Sequence, residues 1–203
     1  TAATAGFGQR AKAQPALLNG RYTVRRLLAQ GGMSAVYEVD DAVQPGIVRA
    51  LKEMDLAAVD PAERQETIAD FRREATLLRS LGHPNLVKVL DHFAAGSKEY
   101  LVMECVQGET LDAFLRGRPR TPAQVLPIAR QLCDVLEYLH SRTPPIIYRD
   151  LKPSNAMIEK ATGLVKLIDF GIARFYKPGK QKDTKMMGTP GFAHYVASKG
   201  AVL

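Results

Sequence analysis

Residues 148–155 read YRDLKPSN, and the tripeptide DFG follows at residues 169–171. The first motif offers a carboxylate at Asp150, an ammonium group at Lys152 and an amide at Asn155, and the second adds the carboxylate of Asp169. Carboxylate and amide oxygens are the ligands that a hard cation such as Mg²⁺ prefers. An ammonium group beside them can neutralise anionic oxygens. The two motifs therefore predict a site for a phosphate group beside a divalent cation.

Three segments upstream add parts that such a site needs. The run LLAQGGMSAVYEV at residues 27–39 is a glycine-containing turn between two strand-like runs, and its backbone N–H groups could lie over phosphates. In VRALKEM at residues 48–54, strand alternation points Ala50 and Lys52 to the same face. A helix pattern follows and carries Glu74 beside its apolar stripe. Taken singly, the first segment also fits a glycine hairpin without a ligand, and Lys52 also fits a solvated charge at a strand end.

In this order, the segments resemble the catalytic domain of bacterial Hanks-type serine/threonine protein kinases over about Tyr22 to Phe192. The resemblance implies an α+β, protein-kinase-like bilobal fold, with a β-rich N-lobe that includes helix αC and an incomplete helical C-lobe. The glycine-methionine pair in GRYTVRRLLAQGGMSAVY is similar to the bacterial group. The sequence departs from the family pattern at Ala29 and Ser34, which stand at glycine positions, and at Tyr148, which stands where histidine is usual.

The resemblance also implies roles for individual residues. Asp150 would orient the substrate hydroxyl and accept its proton, Lys152 would bind the transferred γ-phosphate, and Asn155 and Asp169 would ligate Mg²⁺. Lys52 would contact the ATP phosphates and pair with Glu74. The backbone from Glu104 to Val106 would bond adenine, with Met103 as gatekeeper and Val36, Ala50 and Met157 on the ring faces. The full set of implied ATP-binding residues is Leu28, Ala29, Gln30, Gly31, Gly32, Met33, Ser34, Val36, Ala50, Lys52, Met103, Glu104, Val106, Glu109 and Met157.

Two family features concern specificity and regulation. Lys152 and Thr189 accompany serine/threonine rather than tyrosine specificity, so the expected partners are ATP and protein substrates that carry Ser or Thr. Thr184 is the first candidate for a regulatory phosphosite and Thr189 the second, with Arg149 as the residue that would pair with the phosphate. Self-association for trans-autophosphorylation is a further expectation. The alternative for the loop around Thr184 is a solvated, flexible segment.

The charge of the 203-residue chain is +7, and more than half of the excess lies in one loop. Between residues 171 and 187, Arg174, Lys177, Lys180, Lys182 and Lys185 stand against Asp183, which leaves a net charge of +4. Phe175 and Tyr176 are the aromatic residues of this stretch, so it has no interleaved stacking platform, and no nucleic-acid partner is expected.

The rest of the composition predicts a cytoplasmic domain. No apolar run approaches the roughly 20 residues that cross a bilayer, and no signal-peptide pattern opens the sequence. Cys105 and Cys133 lack the spacing of a zinc site or a disulfide framework, and both are predicted to be reduced packing residues.

The predicted organisation has four parts: a flexible tail at residues 1–20, a kinase N-lobe at 21–104, a partial C-lobe at 105–192 and a segment unlike a kinase at 193–203. Five strand-like runs lie between Tyr22 and Glu104, and the helix among them is predicted to begin with Asp60 as N-cap and Pro61 as its first residue. A longer helix is predicted from Thr121 to His140, with an apolar face. This face comprises Val125, Ile128, Leu132, Val135 and Leu139.

The last residues break the kinase pattern. After Phe192 the expected A-P-E motif does not follow, which predicts a truncated kinase fold. The string AHYVASKGAVL instead looks like the Y-x-x-x-K helix of short-chain dehydrogenases, although no dinucleotide fingerprint precedes it. A join near Ala193 is the preferred explanation. Three functions stay open: a Mg-ATP-dependent kinase, an inactive nucleotide-binding fragment and a basic interaction module.

Overall fold

The computed structural model describes residues 17–31, 34–117, 119–148 and 150–169, together with the backbone of residues 174–175. The side chains of Ala58 and Glu74 lie outside this description. The strands are β1 (Tyr22–Gln30), β2 (Ser34–Asp41), β3 (Val48–Asp55), β4 (Val89–Ala95), β5 (Lys98–Glu104), β6 (Gly108–Thr110), β7 (Ile146–Ile147), β8 (Ala156–Glu159), β9 (Val165–Leu167) and β10 (Arg174–Phe175). The α-helices are α1 (Arg64–Ser80), α2 (Leu111–Leu115) and α3 (Pro122–His140).

The first five strands form one antiparallel sheet in the order β1-β2-β3-β5-β4. Strand β5 is buried on both faces, because its side chains alternate between two apolar clusters. Tyr100 and Val102 join the cluster on one face, and Leu101 and Met103 join the cluster that also contains α1. The predicted β-rich N-lobe is confirmed, and each predicted strand run overlaps an observed strand.

Helix α1 begins later than the sequence predicted. Its first residue is Arg64, because Asp60 closes a separate turn: its carboxylate accepts a hydrogen bond from the Ala62 N–H at 2.8 Å, and its carbonyl accepts one from the Glu63 N–H at 3.0 Å. Such a short-range side-chain bond competes with the helix for the same backbone donors. The predicted apolar stripe nevertheless covers the sheet, since its later members are buried; they are Phe71, Ala75 and Leu78.

Helix α3 begins as predicted, with Thr121 as N-cap in a capping box with Gln124, and it continues through Pro127. The predicted face is correct in its later turns, where Ile128, Val135 and Leu139 are buried. It is wrong at Val125, which is 37% exposed, because Val125 lies in the first turn of the helix, before the buried residues begin at Ile128.

The cysteines also differ from each other. Both are free, as predicted, but Cys133 on α3 is exposed and only Cys105 is half-buried. The packing role predicted for Cys133 is therefore wrong. Its position two residues before the buried Val135 turns it away from the apolar face of the helix.

Two small sheets complete the described chain: β6-β8-β9 and the pair β7–β10. Strand β9 is tied to the segment that precedes β4, because the Leu167 N–H donates to the Asn85 carbonyl at 2.9 Å and the Val87 N–H donates to the Leu167 carbonyl at 3.0 Å. One buried cluster runs from Ala50 in β3 to Leu139 in α3, so the two lobes share a core. Within the described residues, no helix has the length and apolarity that crossing a bilayer requires.

Candidate active site

Lys52 and Asp169 meet across the two lobes. Strand β3 presents Lys52 on the same face as Ala50, and the ammonium Nζ lies 2.9 Å from Asp169 Oδ1. The lysine side chain is 17% exposed and the aspartate side chain 45%. An ammonium group is thus held beside a carboxylate that solvent and a ligand can still reach.

The residues of YRDLKPSN form a second cluster, around the carboxylate of Asp150. The Lys152 ammonium lies 2.7 Å from Asp150 Oδ2, and the Asn155 amide donates to the same oxygen at 2.9 Å and to the Asp150 carbonyl at 3.0 Å. A 3-10 turn at Pro153–Asn155 holds Asn155, which is buried, in place. These bonds fix the Asp150 side chain in one direction.

A backbone hydrogen bond joins the two clusters. The Ile168 N–H donates to the Asn155 carbonyl at 3.0 Å, and Ile168 immediately precedes Asp169. Two carboxylates, one amide and two ammonium groups are thereby brought to one region from three separate segments of the chain.

The glycine-containing turn is formed by the ends of β1 and β2. Gln30 pairs with Ala35, and the Gly31 N–H donates to the Ser34 carbonyl at 2.7 Å, which makes the connection tight. The predicted phosphate-binding residues on β1 are exposed, as a loop that covers a ligand requires. They are Leu28, Ala29 and Gln30.

The predicted hinge follows β5. Met103 is buried, and the carboxylate of Glu104 accepts hydrogen bonds from the Lys88 N–H at 2.9 Å and from the Lys166 ammonium at 2.6 Å. Val106 is half-buried, whereas Glu109 is exposed on β6 and pairs with Ile158. The Glu104–Lys166 ion pair, which the sequence reasoning missed, ties the hinge to β9.

Gly108 is a second residue that the sequence reasoning missed. A Cβ atom built there would lie 1.9 Å from the Ile158 carbonyl oxygen, so no other residue fits without moving the backbone. This close approach seats β6 against β8, the strand that carries Met157. A glycine that directly follows the hinge run was the available signal.

The predicted walls of the adenine site lie on both lobes. Ala50 is buried on β3, Val36 on β2 packs against the same core, and Met157 is half-buried on β8. Tyr148, at the position usual for histidine, is buried in one cluster with Leu78 and Val89. Its aromatic ring thus takes a packing role.

A buried network of side-chain amides holds strand β9 in place. Asn85 donates to the Val165 carbonyl at 2.6 Å and to Gln131 Oε1 at 2.9 Å, and the same Gln131 oxygen accepts from the Val165 N–H at 2.8 Å. The only signal for this network in the sequence is weak: a polar residue, Asn85, between the apolar residues of LGHPNL.

Several predicted residues lie outside the described part of the chain. They are Gly32, Met33, Arg149, Thr184, Thr189, the side chain of Glu74 and the whole segment 193–203. Their assigned roles stay predictions.

The donor set fits a hard cation. Asp169 and Asn155 offer oxygen atoms, and within the described residues no three His, Cys, Asp or Glu side chains cluster as a protein-only metal cage would require. Mg²⁺ is commonly bound by one or two protein oxygens together with phosphate oxygens and water. Asp169 and Asn155 are therefore suited to Mg²⁺ held jointly with a phosphate.

Two open clefts of about 440 and 390 Å³ lie elsewhere, the first at the C-terminal end of α1 and the second along its outer face. Neither is lined by a predicted site residue. The candidate site is instead identified by its convergent charges, those of Lys52, Asp169 and the Asp150–Asn155 cluster.

Comparison with known proteins agrees with this geometry. The family described as the protein kinase domain matches residues 22–197, five residues further than the resemblance drawn from the sequence. The chain is 38% identical over 192 residues to the serine/threonine-protein kinase pkn2 of Myxococcus xanthus, which covers 92% of this chain and 22% of the relative.

Two other relatives are similar at comparable levels. Serine/threonine-protein kinase A of Synechocystis sp. is 34% identical over 85% of this chain and 35% of its own length, and PknB of Mycobacterium tuberculosis is 35% identical over 92% and 30%. The chain thus spans between about a fifth and about a third of the length of these curated relatives. Most of the sequence, including every part of the site described above, falls within the matched region, and the chain belongs to the protein kinase domain family.

Proposed function

We propose that this chain is the nucleotide-binding and catalytic region of a protein serine/threonine kinase, which transfers the γ-phosphate of ATP to Ser and Thr hydroxyls of proteins. The observation that carries the proposal is the convergence of Lys52 and Asp169, 2.9 Å apart, with the Asp150–Asn155 cluster, which is hydrogen-bonded to Ile168, the residue before Asp169. The names of the relatives, all serine/threonine-protein kinases, support it.

Phosphoryl transfer requires positioning and charge neutralisation more than covalent help from the protein. Lys52 would hold the α- and β-phosphate oxygens, and Lys152 would neutralise the γ-phosphate. Asp150, whose carboxylate is oriented by Lys152 and Asn155, would orient the substrate hydroxyl and accept its proton.

Mg²⁺, when bound by Asp169 and Asn155, would supply positive charge to the phosphate oxygens. Asn155 is suited to this because its amide nitrogen already donates to Asp150, which turns the amide oxygen away from that carboxylate. Adenine would lie between Val36 and Ala50 on one side and Met157 on the other, along the backbone from Glu104 to Val106.

We further propose a division into an N-lobe at residues 21–104 and a C-lobe region at 105–192, with Thr184 and Thr189 as regulatory phosphosites. Arg149 would pair with a phosphate on this loop, and copies of the chain would phosphorylate one another.

The test is the intact mass of the purified chain after incubation with Mg-ATP, beside the variants Asp150→Asn and Asp134→Asn. Asp134 lies exposed on α3, so Asp134→Asn is the matched control. We expect phosphate on the wild type and on Asp134→Asn, at Thr184 or Thr189. We expect none on Asp150→Asn. An unphosphorylated wild type that still binds ATP would instead indicate an inactive nucleotide-binding fragment.

A further inference from the structure

An ion pair joins the middle of α1 to the start of β5. Arg72 donates to Glu99 Oε1 from Nη2 at 2.7 Å and from Nε at 3.1 Å. The side chain of Glu99 is 2% exposed, and its second oxygen, Oε2, is buried without a hydrogen-bond partner among the described residues. A carboxylate held out of water on a single partner is costly to desolvate, so the contact contributes little as a stabilising pair alone.

The position of Glu99 relates it to the candidate site. Alternation along β5 places Glu99 on the same face as Leu101 and Met103, which is the face that α1 covers. In the register of β3 and β5, Leu101 pairs with Lys52 and Glu99 pairs with Met54. The anchor of Arg72 therefore lies about 7 Å along the strand from the level of Lys52.

The helix side of the pair is equally close to the site. The apolar stripe of α1, including Phe71 and Ala75, packs on the sheet, but apolar contacts are not directional and do not by themselves fix how a helix is rotated. A guanidinium that gives two hydrogen bonds to one buried carboxylate does fix it. Arg72 precedes Glu74 by two residues, so the rotation that it fixes is that of the turn that carries Glu74.

We propose that Arg72 and Glu99 are positioning residues: their ion pair clamps α1 to β5 and thereby holds the turn of Glu74 level with Lys52 during phosphoryl transfer. This inference rests on the proposed function. Neither residue contacts the groove that would hold ATP, and the pair acts through α1.

The test measures kcat and KM for ATP together with hydrogen exchange of residues 64–80. Arg73→Met is the matched control for Arg72→Met, because Arg73 on the same helix pairs only locally, with Asp70 at 2.5 Å, and is 67% exposed. We expect Arg72→Met to lower kcat about ten-fold, with a smaller change in KM, and to raise exchange in α1. Arg73→Met should resemble the wild type in both measurements.

A second pair of variants tests the coupling. In Arg72→Met/Glu99→Leu the buried carboxylate that Arg72→Met leaves unpaired is gone, so the double variant should be no slower than Arg72→Met. Arg72→Lys keeps the charge but loses the two-pronged geometry, and we expect an intermediate kcat. If the double variant is slower than Arg72→Met, so that the two substitutions lower kcat independently, the proposed clamp is wrong.

Val102→Ala controls for loss of stability, because Val102 is fully buried on the opposite face of β5, away from α1. If Val102→Ala lowers kcat as much as Arg72→Met at an equal loss of melting temperature, the pair is merely structural. If the wild type has no turnover, the proposed function is wrong, and hydrogen exchange alone then tests the clamp. If exchange of α1 is the same in Arg72→Met as in the wild type, the clamp is wrong.

Discussion

The five-stranded sheet and the catalytic segment at residues 150–169 are held in shape by different forces. The sheet has strands of seven to nine residues in antiparallel pairs, with register shifts in the β1–β2 and β4–β5 pairs and apolar clusters on both faces. The catalytic segment has strands of three and four residues, and polar side chains such as Asp150 and Asn155 define its course. Its apolar residues Ala156, Val165 and Leu167 join the shared core, while a few directional bonds set the positions of its polar side chains.

The stability of the fold and the chemistry proposed for the site therefore depend on different residues. Apolar burial in the sheet tolerates exchange of polar surface residues, whereas under the proposed function the removal of a charge at the site should change turnover with little effect on folding. A sheet substitution should accordingly change stability first, and a site substitution should change turnover first.

The largest expected effect is on turnover. Lys52→Met should lower kcat/KM for ATP by about 10²- to 10³-fold, since it removes a positioned positive charge from the phosphates. The free energy of unfolding should change little, because Asp169 is 45% exposed and regains water. Steady-state kinetics and urea denaturation measure the two quantities, with the exposed Lys160→Met as control; equal kinetics in both variants would contradict the proposed role.

The next effect is on the sheet. Leu51→Ala should lower the free energy of unfolding by about 2–5 kcal/mol, because Leu51 is fully buried and the substitution leaves a cavity. Leu126→Ala on α3 is the control, since Leu126 is 57% exposed. Urea denaturation of both variants gives the comparison, and similar losses at the two positions would refute the contrast between them.

A smaller effect is expected at the support of the catalytic segment. Asn85→Ala should cost about 1–3 kcal/mol, because the Val165 carbonyl and Gln131 lose a buried donor. Hydrogen exchange should rise in residues 156–167 and stay unchanged in β1 and β2. The exposed Gln65→Ala is the control, and a uniform rise across the chain would argue against a local support.

The smallest effect is electrostatic and depends on pH. The Arg21 guanidinium, with two 2.7 Å hydrogen bonds to the buried carboxylate of Asp41, holds the pKa of that carboxyl at about 2, below its ordinary 3.8. A lowered pKa in the folded state stabilises the fold above the unfolded value and ceases to do so as the pH falls through the folded value. Because Arg49 and the Val43 N–H still contact the Asp41 carboxylate, Arg21→Met should remove only part of this stabilisation, about 1 kcal/mol at pH 7, and the difference should shrink between about pH 4 and pH 2.

Denaturation as a function of pH, with Arg25→Met as control, measures this difference. Arg25 pairs with the partly exposed Asp40, so its removal should have only a slight effect on unfolding. A cost of Arg21→Met that is constant down to pH 2 would contradict the assignment to Asp41.

The sequence pattern predicted the structure correctly where the spacing of apolar residues along one segment determines the element. The strand-like run of β5 and the apolar stripe of α1 predicted both elements, and the residues of YRDLKPSN and Asp169, predicted to share one site, lie together in the structure, although their roles stay predictions. The predictions failed where a competing contact decides. Asp60 makes a turn of its own, and Val125 lies in the first turn of α3, ahead of the residues that the helix buries.

By itself, the sequence determined the order of the elements, the kinase family and the types of residue at the site, because periodicity and short motifs are local properties of the chain. Only the tertiary structure decided which residues meet. Lys52 reaches Asp169 across 117 residues, Glu104 bonds Lys166 across 62, and Arg72 clamps Glu99 across 27. The physical reason is that such pairs depend on strand register and on close backbone approach, as at Gly108, and no local pattern encodes either.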